Sequence, residues 1–157
     1  MGYYVNTVNH NILLRKQDMD KAYKAMCDLN QRDDLKSGGT WGGDGVSAKD
    51  PRPEGLHYHP SKWFSWMDAN YPDKCKDFNS ILVELGFETT YDDDGNLVGV
   101  HYDNKIGSEQ HFFHAIAPYM ADGSYIDWQG EDGAFWRWGF RNGKMTMVDG
   151  EITYPNF

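Results

Sequence analysis

Six histidines are present, and four of them sit in two spaced pairs. His57 and His59 form H-x-H, while His111 and His114 form H-x-x-H with Glu109 just upstream. On an extended segment residues i and i+2 point the same way, and on a helix i and i+3 share a face. Together the pairs offer four nitrogen ligands for zinc, with Glu109 as general base toward a metal-bound water, which is the reading of a zinc-dependent hydrolase. Neither H-E-x-x-H nor a doubled C-x-x-C is present, so hydrogen-bonded or surface histidines are the competing expectation.

The carboxylates invite other chemistry. In "YDDDGN", Asp92, Asp93 and Asp94 precede Gly95. Aligning that glycine with the turn glycine of a calcium loop puts Thr90 at the first and His101 at the twelfth position, where carboxylates belong, so a hairpin turn explains the run better. Asp127, Glu131 and Asp132 lie beside aromatics, the ingredients of glycoside hydrolysis, yet nothing in the sequence opposes two of them across a cleft. "GGDGVSA" formally fits a dinucleotide loop but has no strand before it and Asp50-Pro51 after it, where a helix would have to begin. There is neither a G-x-S-x-G elbow nor a phosphate-binding P-loop.

The densest pattern is "GSYIDWQGEDGAFWRWGFRNGK", residues 123–144. On an extended strand Trp136, Trp138 and Phe140 share one face, and Phe135, Arg137 and Arg141 the other. The tryptophans are expected to pack beneath helices. The Arg/Phe face, made of residue types that anchor protein interfaces, is expected to meet a partner.

These residues need elements to hold them. "YYVNTVNHNILL" (3–14) reads as a strand, and Asp18–Leu29 as a helix with Met19, Ala22, Tyr23, Met26 and Leu29 on one stripe. Residues 31–62 are rich in glycine, proline and other turn formers, and form a long excursion that is expected to be ordered, with a mobile tip near Gly38–Gly45. A second helix starts at "YPDK" with Pro72 in its first turn and stops at Gly86. A hairpin turns at Asp94-Gly95, a third helix runs from a Ser108 cap to about Tyr119, and a meander of three strands follows with Asn142-Gly143 as a type I′ turn. The fold class is α+β: an antiparallel sheet of five to six strands with two to three helices packed on one face.

The chain has 157 residues, the size of one domain, with a formal net charge of −9. No Lys/Arg cluster is present, so direct nucleic-acid binding is not expected, nor is a membrane span, since no apolar run is long enough. Cys27 and Cys75 fall inside the expected helices and read as reduced core residues. "MGYYVN" lacks the charged and apolar regions of a leader, and a cytoplasmic location is expected.

The runs "FSWM" (64–67), "LGFE" (85–88), "DGN" (94–96), "HYDNKIGSEQ" (101–110) and "IAPYMADGSYIDWQGEDGAFWRWGFRNGK" (116–144) resemble a group of small proteins of gut bacteria and their phages. Its most specific motif is G-S-Y-I-x-W-x-G-E-D-G-x-x-W-R-W. The resemblance covers roughly residues 60–145, implies a bacterial or mobile-element origin, and carries over no activity and no catalytic residue.

The reading that follows is a non-enzymatic acidic protein without a cofactor that blocks or sequesters a protein partner, a basic one being among the options, in the manner of phage anti-defence or toxin-immunity factors. Its expected contact residues are Trp41, Trp63, Asp92, Asp93, Asp94, Glu131, Asp132, Arg137 and Arg141. The alternatives are the zinc hydrolase and an acidic mimic of nucleic acid.

Overall fold

The computed structural model describes residues 2–40, 45–151, 153 and 155. In chain order the elements are β1 (Tyr4–Asn11), α1 (Met19–Asp28), β2 (Gly38–Gly39), β3 (Lys62–Trp63), α2 (Tyr71–Lys74), α3 (Phe78–Leu85), β4 (Glu88–Tyr91), β5 (Leu97–His101), β6 (Asp103–Lys105), α4 (Gln110–Ile116), β7 (Tyr125–Gly130), β8 (Phe135–Arg141) and β9 (Lys144–Gly150). The main sheet has five antiparallel strands in the order β6-β1-β7-β8-β9, and the pairs β2-β3 and β4-β5 stand apart from it. The architecture is α+β, as the element order implies.

Alternation decides which side of the sheet is buried. In β7, Ile126 and Trp128 are buried while Tyr125 and Asp127 are only partly covered; in β8, Trp138 and Phe140 are buried and Arg137 is exposed. The inner face meets the helices through aromatic rings. Phe113 of α4 lies 5.4 Å from Trp138 and 5.1 Å from Phe87, and Phe87 lies 6.0 Å from Trp128. Its neighbour Phe112 turns the other way, to Phe64 and Tyr71. Adjacent phenylalanines on α4 thus join the sheet to the segment following the excursion. Rings of this size bury enough apolar surface that losing one costs about 3–5 kcal/mol.

Three expectations need correction. The single helix expected from Tyr71 to Leu85 is two: the backbone turns extended at Cys75, and Asp77, also extended, accepts from Ser80 N–H at 2.8 Å to start α3 afresh. Local capping by Asp77 outweighs the continuous apolar stripe. The hairpin β4-β5 forms a separate two-stranded sheet, joined to the chain that follows β1 through the antiparallel Leu14–Leu97 bridge. The expected mobile tip begins with Gly38 and Gly39, which are paired to Trp63 and Lys62, and residues 41–44 fall outside the described residues.

The described residues of the excursion are tied down at its base. Arg52 donates to both Gln31 and Asp33, and the Lys36 ammonium, its side chain fully buried, lies 2.6 Å from Asp33. Burial alone would raise the Asp33 carboxyl, but hydrogen bonds from Lys36 and Arg52 outweigh it and hold the group below the usual carboxylate range. Both cysteines are free thiols, and burial pushes each upward, Cys75 to about 11. Among the described residues no helix is long and apolar enough to cross a membrane.

Candidate functional site

The outer face of the sheet carries the most interactive surface. Its central row is Asn9–Asp127–Arg137–Val148, set by the registers of β1, β7, β8 and β9. Arg137 grips Asp127 with two hydrogen bonds, Nε to Oδ1 at 2.6 Å and Nη2 to Oδ2 at 3.0 Å, and its guanidinium sits 4.0 Å above the Tyr125 ring. The ion pair and the ring fix a planar polar platform at the centre of the face. Around it are apolar side chains. A bulge between Thr7 and Asn9 pushes out Val8, which is 46% exposed; Val148 is 58% exposed, and Phe135 occupies the next row. A shallow groove of about 500 Å³ runs across these strands, from Val8 to Val148, Asp149 and Glu151. Since Arg137 is neutralised by Asp127, Asp149 and Glu151 leave the groove acidic.

Other expected contact residues are occupied in holding the fold. Trp63 is half-buried over Gly38, so close that a Cβ there would sit 2.1 Å from its indole nitrogen. Asp92 accepts from Asp94 N–H, Asn96 N–H and the Asn96 amide at 2.9–3.0 Å, which organises its own turn and holds its carboxyl low. Asp93 and Asp94 are exposed on that turn. Glu131 accepts from Tyr4 N–H at 3.0 Å, and Asp132 accepts from the Tyr3 hydroxyl and from Ala134 N–H. The acidic hairpin therefore clasps the start of β1, and its hydrogen bond to Asp132 pushes the Tyr3 phenol up to about 12. Arg141 is exposed at the end of β8, opposite Lys144. Trp41 falls outside the described residues. Of the eight that are described, only Arg137 lies in the groove; Val8, Asp127, Val148 and Asp149 join it. Val8 and Val148 were legible only as apolar residues out of phase with the buried ones.

The four histidines do not assemble. His57 pairs with Asp73 at 2.9 Å in solvent. His59 is buried with both ring nitrogens engaged: Nε2 donates to the Asp50 carbonyl at 2.8 Å and Nδ1 accepts from Ser61 N–H at 3.1 Å. His111 rests against Phe64, and burial lowers both its proton affinity and that of His114. Among the described residues no three His, Cys, Asp or Glu side chains are grouped to hold a metal ion.

Glu109, expected as a general base, forms a buried knot instead. Its Oε1 accepts from the Tyr102 hydroxyl at 2.6 Å, both oxygens accept from Gly107 N–H, and Oε2 accepts from Ser65 Oγ at 3.1 Å. Ser65, at a positive φ of 46°, and Ser108 exchange reciprocal bonds, each N–H donating to the other's hydroxyl at 3.1 and 2.7 Å. Burial and then the bond to Glu109 raise the Tyr102 phenol, so it stays a donor. With the carboxyl 1% exposed and all its partners internal, the knot joins the segment after the excursion to α4 and offers no base to a substrate. No family model matches the chain, and no match is found among curated proteins or solved structures.

Proposed function

We propose that this protein acts by binding another protein through the outer face of its five-stranded sheet, blocking or sequestering that partner rather than transforming a substrate. The observation that carries the reading is the outer face itself: exposed Val8 and Val148 flank an Arg137–Asp127–Tyr125 platform tied by two hydrogen bonds and a cation–π contact. Apolar side chains around a pre-ordered arginine and tyrosine have the composition of interface hot spots, where rigidity limits the entropy lost on binding. The acidic rim of Asp149 and Glu151, on a chain of net charge −9, favours a basic partner. Two unpaired thiols fit a reducing, cytoplasmic setting. An inhibitor of the anti-defence or toxin-immunity kind, of phage or bacterial origin, fits this chemistry.

The test is affinity capture from a bacterial host with the wild-type chain and with Val8→Glu and Val148→Glu as baits. The expected result is a partner of high isoelectric point, retained by wild type at low salt and released as salt rises, and lost with both variants. Equal capture by all three baits, or none by any, rejects the outer face as the binding surface.

A further inference from the structure

The two edges of the main sheet differ. The β6 edge is three residues long and entirely polar, Asp103, Asn104 and Lys105. Short charged edges resist pairing with other strands. The β9 edge is seven residues long, with Met147 49% and Val148 58% exposed at its middle.

The hydrogen-bond phase says which groups that edge presents. Phe140 N–H donates to Ser124 O, and Phe140 O accepts from Gly123 N–H, both at 2.9 Å, so the even residues of β8 turn their backbone toward β7. The odd residues of β8 therefore bond β9, through their partners Lys144, Thr146, Val148 and Gly150. Met145, Met147 and Asp149 are left with N–H and C=O groups aimed outward, and among the described residues nothing pairs with them.

We propose that β9 is a self-association edge, and that its occupant is β9 of a second copy of this chain, running antiparallel about a two-fold axis at Met147. One register satisfies every outward group: Met147 opposite Met147, and Met145 opposite Asp149 of the other copy. On the outer side Thr146 then faces Val148, a favourable β-branched pair. The same register carries Lys144 of each strand to the end where the other bears Asp149 and Glu151. A parallel arrangement sets acid against acid. Closure about a two-fold axis stops the assembly at a dimer and joins two five-stranded sheets into one. Like net charges oppose the union, but they act mostly across distances greater than about 8 Å, beyond which physiological salt screens them. Self-association through β9 therefore strengthens with salt, the reverse of capture of a basic partner, and it stands whether or not that capture occurs.

Sedimentation equilibrium from low-micromolar to near-millimolar protein, at low and high salt, tests this. The expected outcome is a monomer–dimer equilibrium favoured by salt. Met147→Lys opposes two like charges across the axis, and Met147→Pro removes an outward N–H without touching the bonds to β8. Each is expected to raise the dissociation constant about tenfold or more, with unchanged circular dichroism. Independently of the variants, wild-type amides of Met145, Met147 and Asp149 should exchange slowly in concentrated solution and fast in dilute solution. A monomer at every concentration, open-ended oligomers, a dimer indifferent to both variants, or concentration-independent exchange at these three amides overturns the proposal.

Discussion

A carboxyl group buried to 1% exposure must be held by donors or it costs the fold dearly, and Glu109 is held by Tyr102, Gly107 and Ser65. Glu109→Ala leaves the Gly107 N–H without its acceptor, while the Tyr102 hydroxyl falls back on the Lys105 carbonyl and the Ser65 hydroxyl on Ser108, and we expect a loss on the order of 2 kcal/mol in urea unfolding. Glu109→Gln keeps an acceptor oxygen and should lose less. If the alanine variant unfolds at the wild-type midpoint, the knot contributes nothing. Gly107 belongs to the same device: a Cβ there would lie 2.3 Å from Ser65 Oγ and 3.0 Å from Glu109 Oε2, so Gly107→Ala has to push the knot apart. Asp33 makes the corresponding prediction for pH. Its carboxyl is depressed in the folded chain, so its contribution is present above the unfolded value and lost as pH falls through the folded one. As pH falls below the ordinary aspartate range and through that depressed value, the anchor of Arg52 and Lys36 should fail, and amide exchange between Gly45 and His59 should quicken before the sheet amides respond. His111 and His114 are also depressed, by burial, so their ring resonances should titrate below the ordinary histidine range near 6.5. Titration of either above that value contradicts the packing of α4.

At the level of elements, turn chemistry was the most reliable signal. Asn142 and Gly143 have φ of 54° and 74°, as a type I′ turn demands. A Cβ on Gly143 meets only ordinary contact with Pro118, so Gly143→Ala should cost only the backbone strain, about 1 kcal/mol, read as a small fall in melting temperature. A much larger loss would mean that the turn is packed more tightly than these distances allow. Asp77→Ala removes the cap of α3 and is expected to cost about 1 kcal/mol. The meander from Tyr125 to Gly150 was legible because alternation and a two-residue turn fix register locally. The break between α2 and α3 was not, because an apolar stripe with helical spacing runs through Cys75 and conceals the change of backbone direction. Nor was the bulge at Val8, since a bulge depends on what the neighbouring strand β7 presents.

For the whole molecule, the formal charge of −9 sets a direction that salt can test. Affinity for a basic partner should fall as ionic strength rises, while fold stability should change little or increase as self-repulsion is screened. Titration of the captured partner in rising salt checks the first, and thermal unfolding in the same buffers checks the second. Composition, period and turn residues by themselves determined the fold class, the aromatic core and the acidic surface, because each is a local or summed property of the chain. Only the tertiary structure decided the fate of the singled-out side chains. His59 turned inward to Asp50 and Ser61, Glu109 became an anchor, and Arg137 found Asp127 across two strands. Whether a polar group is spent inside the fold or left to meet a partner depends on contacts between residues distant in sequence, and spacing along the chain does not encode those contacts.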